Sequence, residues 1–156
     1  MAIEKVRNYF RELGLEDRVL EFDQSSETVT LASQAVGTEP KNIVKTMSFM
    51  VGGEPILVCM AGDARIANAK FKAQFHTKAQ MIPHDEVGEL IGHDVGGVCP
   101  FAIKDGVAVY LDRSLQGLDW VYPAAGSGNS AVRLTVPELE RYSAPRGWVD
   151  ICKDPE

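Results

Sequence analysis

Two residues of this sequence stand where a side chain could do chemistry. Cys99 lies in DVGGVCPF (94–101), where two glycines and a proline surround a thiol between apolar runs. A cysteine nucleophile needs a base and a lowered pKa, and His93 is six residues upstream. The same letters also suit a buried structural thiol, a tight turn, or a backbone cradle for a ligand. Lys45 lies in NIVKTMSFMV (42–51), and alternation puts it on one strand face with Met47, Phe49 and Val51. Lysines are rarely buried unless paired. Lys45 therefore either snorkels at a sheet edge or presents its charge to a pocket.

Other chemistries find little support. His76, His84 and His93 are spaced by eight and nine residues, which matches no common zinc or metalloprotease pattern. No metal or other cofactor is expected. The sequence has no GxxxxGK[ST], no GxGxxG and no GxSxG. Its nearest approach to a phosphate cradle is GSGN (126–129), which falls between two strand candidates rather than between a strand and a helix.

These residues must be held by a scaffold the pattern also describes. Ile3, Val6, Phe10 and Leu13 have helical spacing, with Gly14 placed to stop the helix. VLEF (19–22) is a strand candidate, and Thr28 or Thr30 can cap a helix closing at Gly37. Residues 43–51 and 55–61 read as a hairpin across Gly52-Gly53-Glu54. Ile66–Phe75 reads as a basic helix, and another helix follows Pro83 and ends near Gly92. AIKDGVAVYLD (102–112) reads as strand, Asp105-Gly106 turn, strand; residues 118–124 and 131–136 as further strands; 137–143 as a short helix; and 148–151 as a last strand. The expected fold is α+β: one compact domain over residues 1–156, with a mixed, partly barrel-like sheet flanked by three or four helices.

At 156 residues, with 45% hydrophobic and 24% charged, the composition is that of a soluble globular domain. No apolar run approaches the ~20 residues of a membrane span, and MAIEKVRNYFRELG does not read as a signal peptide. Three cysteines without CxxC spacing fit a reduced, cytoplasmic protein. The net charge of −6 argues against tight unaided binding to nucleic acid. Residues 64–84 nevertheless contain no acid, and Arg65, Lys70, Lys72 and Lys78 fall there as a candidate positive face. A solvated helix surface is the competing reading.

IVKTM at the strand start, GGVCPF about fifty residues later, a strand ending in YLD, and PAAGSGNSAVRL together resemble the YbaK and prolyl-tRNA synthetase-associated domain family. Its members edit aminoacyl-tRNA, and the resemblance runs from about Val6 to Ile151. By that resemblance Lys45 is the family's signature lysine, and Gly96 and Pro100 belong to its G-x-x-x-P loop. Asp112 ends the following strand, and Gly126, Ser127, Gly128 and Asn129 form its last pocket segment. The inserted synthetase domains tend to carry a histidine there, where this chain has Asn129 and Ser130.

The resemblance implies a trans-editing deacylase that removes a small mischarged amino acid from tRNA, most naturally tRNA-Pro. Backbone donors of Gly96 and Gly97 would stabilise the tetrahedral oxyanion, and Lys45 would supply positive charge. Water would be activated by the substrate itself. Met47, Phe49, Val98, Cys99, Pro100, Phe101, Asp112 and the 126–129 turn would form the substrate pocket, with Ala124 a further candidate. The implied partners are the tRNA acceptor end and prolyl-tRNA synthetase, with no membrane and no metal. A non-catalytic tRNA-end or synthetase-binding module of the same fold is the alternative, and a Cys99-dependent hydrolase or redox protein is a third.

Overall fold

The computed structural model describes residues 2–154. The N-terminal amphipathic pattern forms α1 (Ala2–Glu12), with Val6 and Phe10 fully buried. After β1 (Val19–Glu21), helix α2 (Val29–Val36) begins at Thr28, whose side chain accepts the Leu31 N–H at 3.1 Å. Of the two candidate threonines, Thr28 is therefore the cap. The helix stops at Gly37 in the left-handed region.

The main sheet has the order β2 (Val44–Val51), β3 (Glu54–Ala61), β4 (Ala108–Asp112), β8 (Gly147–Val149). Strands β2 and β3 form the expected antiparallel hairpin, turning through Gly52 and Gly53 at φ 58° and 80°. Two positive φ values in succession are the geometry a two-residue hairpin turn requires. The chain then crosses through α3 (Asn68–Phe75) and α4 (His84–Ile91) before β4 (Ala108–Asp112) runs parallel to β3. Strand β3 alternates Leu57, Cys59 and Ala61 into one core cluster with Ile56, Val58 and Met60 into the other. It is buried on both faces, and this explains why PILVCMA lacks polar alternation.

Several boundaries differ from the pattern-based expectation. Residues 102–104 form no strand: Ala102 takes φ 52°, and the Lys104 N–H donates to the Ile91 carbonyl. Asp105-Gly106 therefore leads into β4 without making a hairpin. Of 118–124 only β5 (Trp120–Val121) is extended, and 131–136 divides at Arg133. Its halves, β6 (Ser130–Val132) and β7 (Leu134–Thr135), pair with β1 and β5 respectively. Helix α5 (Val136–Ser143) starts with a capping box between Thr135 and Glu138, and β8 (Gly147–Val149) lies parallel to β4. The described residues thus hold five α-helices, not three or four, and three sheets of four, two and two strands. None of these sheets closes into a barrel.

Candidate active site

Strand β2 is the edge of the main sheet, and its outer side is covered only at its two ends. The Val44 N–H donates to the Tyr122 carbonyl; farther along, Ser48 accepts from the Ile82 N–H and Met50 donates to Gln80. By strand alternation the Thr46 N–H and C=O point the same way, into the gap between these two covers. A cleft of about 200 Å³ opens over that gap. Its walls come from the start of α2, from Met81, Ile82, His84 and Val87, from Val95, Gly96 and Val98, and from Tyr122, Ala124 and Ser130. Met81 and Val95, both solvent-exposed hydrophobic side chains, lie on this lining.

Two glycine-bearing segments meet here because neither carries bulk at the contact. A Cβ on Gly97 would fall 2.6 Å from the Gly126 carbonyl carbon and the Ser127 nitrogen, and the Gly126 N–H donates to the Gly97 carbonyl at 3.0 Å. The Gly97 N–H is itself committed to the Asp94 carbonyl. Gly97 therefore serves close packing and has no donor left for a substrate. Among the described residues the Gly96 and Val98 N–H groups make no backbone bond, and both residues line the cleft. The 126–130 turn is tied down by Ser127 donating to Asn129 and Ser130, and by the Asn129 side-chain N–H donating to the Phe22 carbonyl.

Lys45 also lines the cleft, half-buried, with its Nζ donating to the Ala64 carbonyl at 2.5 Å. Burial pulls its pKa below the ordinary lysine value; nearby Cys152 and Asp63 act against that shift, and Arg65 adds to it. No carboxylate of the described residues lies within ion-pair distance of it. Met47 joins Lys45 on the lining, whereas Phe49 is buried against Phe71 in the second core cluster.

The remaining predicted residues lie elsewhere. Cys99 and Phe101 are buried and absent from the cleft wall, and Pro100 between them is buried as well. Cys99 Sγ is 3.5 Å from His93 Nε2, but that nitrogen also meets the Phe101 carbonyl at 2.6 Å. A nitrogen this close to a carbonyl oxygen carries the proton, so it cannot accept one from the thiol. Burial pushes the Cys99 thiol up to about 12 and pulls the His93 pKa down. A thiolate–imidazole pair is thus disfavoured from both sides.

Asp112 is fully buried and faces a different cavity, a polar one of about 940 Å³ at the C-terminal ends of β3, β4 and β8. There its carboxylate accepts the Ser114 and Ile151 N–H groups, each at 2.8 Å. Arg65 lines the same cavity. Lys72 and Lys78 are exposed, while Lys70 is held by Asp150 and Asp154 at 3.2 and 2.8 Å.

Sequence reasoning passed over Thr46, Met81, Tyr122 and above all Glu27. The side chain of Glu27 lies across Gly96 and Gly128 at the cleft. In the sequence it is one acid in a polar DQSSE run, with no pattern to set it apart.

Known proteins resemble the chain over this whole frame. An uncharacterized protein of Bacillus subtilis (strain 168), YwhH, is 43% identical over 99% of both chains. A proline–tRNA ligase of Streptococcus equi subsp. equi (strain 4047) is 25% identical over 138 residues, which are 86% of this chain and 22% of the ligase. The chain thus spans about a fifth of that enzyme's length. The crystal structure of a protein assigned provisionally as a trans-editing enzyme for prolyl tRNA synthetase superposes with a TM-score of 0.87. It is 27% identical and covers 98% of each chain. The model of the aminoacyl-tRNA editing domain matches residues 23–142, a span that contains β2, both glycine loops and every wall of the cleft. That match covers well over half of the chain, and the chain belongs to the aminoacyl-tRNA editing domain family.

Proposed function

We propose that the protein is a trans-acting deacylase that hydrolyses the ester between a small, wrongly attached amino acid and the 3′ end of tRNA-Pro. The observation that carries this reading is the cleft itself. An edge strand with open backbone groups, half-buried Lys45, and two residues whose backbone N–H groups are unspent on the fold all line it, while the thiol and Asp112 are packed away from it. Water attacks the ester carbonyl carbon, the oxygen becomes an oxyanion, and the bond to the ribose oxygen breaks. The products are a free amino acid and a tRNA with its hydroxyl restored.

The Gly96 and Val98 amides are the donors assigned to the oxyanion. Lys45, fixed on Ala64 and without a counter-ion, supplies positive charge to the phosphate or ester side of the acceptor end. His84 is the one histidine on the cleft lining; activation of the water is assigned to the adenosine 2′-hydroxyl of the substrate. The small volume selects the amino acid: a cleft of about 200 Å³ admits an alanine- or serine-sized side chain more readily than a large one. The kinship with proline–tRNA ligase supports tRNA-Pro as the tRNA.

The test is deacylation of a panel of mischarged tRNA-Pro species by wild type and Lys45→Ala. Loss of one developing-charge contact of this kind costs about 10²- to 10³-fold in rate. Unchanged turnover in Lys45→Ala removes Lys45 from the mechanism. Survival of every ester beside an active control enzyme leaves a tRNA-end or synthetase-binding module in its place.

A further inference from the structure

Glu27 is the only carboxylate among the residues lining the cleft, and the fold makes no use of it. Among the described residues its side chain enters no ion pair and no hydrogen bond; only its backbone N–H is engaged, with Ser25. Yet its position is enforced. Immediately before it, the Ser26 N–H donates to the Gly128 carbonyl at 2.8 Å, and the Ser26 hydroxyl reaches the Ser130 carbonyl. Immediately after it, Thr28 caps α2.

The side chain then runs through a slot between the two glycine segments. A Cβ on Gly96 would stand 2.8 Å from Glu27 Oε1, and one on Gly128 would stand 2.7 Å from the same oxygen. Gly96 has a second reason to be glycine, its φ of 97°. Gly128 has no positive φ, so the space taken by Glu27 is the structural reason for the missing side chain there. Glu27 is solvent-exposed at the cleft, an unpaired carboxylate open to a charge-assisted hydrogen bond from a cationic ligand.

We infer that Glu27 binds the α-ammonium group of the aminoacyl ester. The inference rests on the deacylase reading, since that substrate carries a primary ammonium one carbon from the ester carbonyl. With the carbonyl oxygen at the Gly96 and Val98 amides, the ammonium falls on the side of the loop where Glu27 already touches Gly96. Glu27 on this account selects and orients the substrate; it moves no proton.

The test uses adenosine analogues in which alanine or serine is joined to the 3′ position by a non-hydrolysable amide, each with a free or an N-acetylated α-amine. Binding to the full chain is measured by calorimetry. Wild type should prefer the free amine at least tenfold, and Glu27→Gln should lose that preference while binding the acetylated analogue as wild type does. Gly128→Ala, which displaces the carboxylate without removing it, should shrink the preference as well. An undiminished preference in Glu27→Gln overturns the inference, as does equal affinity of wild type for both forms, including none for either. Because binding needs no turnover, the two readings fail separately. An inactive protein with a Glu27-dependent preference keeps the anchor and loses the deacylase, and an active one indifferent to Glu27 loses only the anchor.

Discussion

At the C-terminal ends of β3, β4 and β8, Asp112 accepts two N–H groups, Asp150 is shared by Lys70 and Arg113, and Asp154 takes Lys70 again, while Asp63, Arg65 and Lys153 on the same cavity enter no ion pair among the described residues. Across β2, on the lining of the smaller cleft, half-buried Lys45 is held on the Ala64 carbonyl and exposed Glu27 lies against Gly96 and Gly128, and neither enters an ion pair among the described residues. The larger and more polar cavity thus carries the charges that form ion pairs and cap backbone groups in the fold. Lys45 is the clearer guide to a site, because a fold selected only for stability would neutralise or expose a half-buried charge.

The sharpest way to break this contrast is to remove Asp112. Asp112→Ala leaves two buried N–H groups without an acceptor, at about 1–3 kcal/mol each. For a chain of this length that lowers Tm by roughly 4–24 °C. Deacylation measured well below that Tm should be close to wild type. Lys45→Ala should do the reverse, losing turnover about 100-fold or more with little change in Tm. If Asp112→Ala instead abolishes deacylation in a protein that is still folded, the polar cavity belongs to the active site and the contrast collapses.

The same contrast shows what could be read from the letters alone. The 43–61 hairpin, the Thr28 cap and the helices after Gly62 and Pro83 were legible because each rests on local chemistry: paired glycines, a hydroxyl before an apolar run, a proline at a helix start. Lys45 and the glycine loop were legible as motifs. The parallel pairing of β4 with β3 was not, since the AIKDGVAVYL letters suit a hairpin equally well and only the crossover decides the partner. Glu27 was illegible for a related reason. Its slot is made by Gly96 and Gly128, which are 69 and 101 residues away, and no short-range pattern records that meeting. Asp112 shows the opposite failure, a motif residue whose surroundings place it in the scaffold.

A weaker effect tests whether the thiols belong with the scaffold. Burial pushes Cys59, Cys99 and Cys152 up to about 12 from 9.0. A raised folded pKa contributes stability that is complete below the unfolded value and is lost as pH rises toward the folded one. The protein should therefore weaken between about pH 9 and 12. Lys45 acts with the opposite sign, since its lowered pKa makes the fold less strained as pH rises through it. A Cys99→Ala variant should flatten the alkaline loss and keep full deacylase activity. Iodoacetamide should label Cys99 in the native protein only as fast as the chain unfolds. Rapid native labelling with loss of turnover would move Cys99 from the scaffold into the cleft.

The smallest expected effect separates two lysines two positions apart on α3. Lys72 is exposed, whereas Lys70 already holds Asp150 and Asp154. A phosphate approaching Lys70 must compete with two carboxylates and meets a nearly neutral cluster, but at Lys72 it meets an unshared cation. If α3 faces tRNA, Lys72→Ala should weaken binding a few-fold and reduce the salt slope by about one. Lys70→Ala should change affinity less, because it also frees two acids that repel the backbone only weakly at physiological salt. Equal losses from both variants would mean that tRNA displaces the Lys70 pairs. The fold's own charges would then be rearranged on binding, and the division between spent and unspent charge would hold only for the free protein.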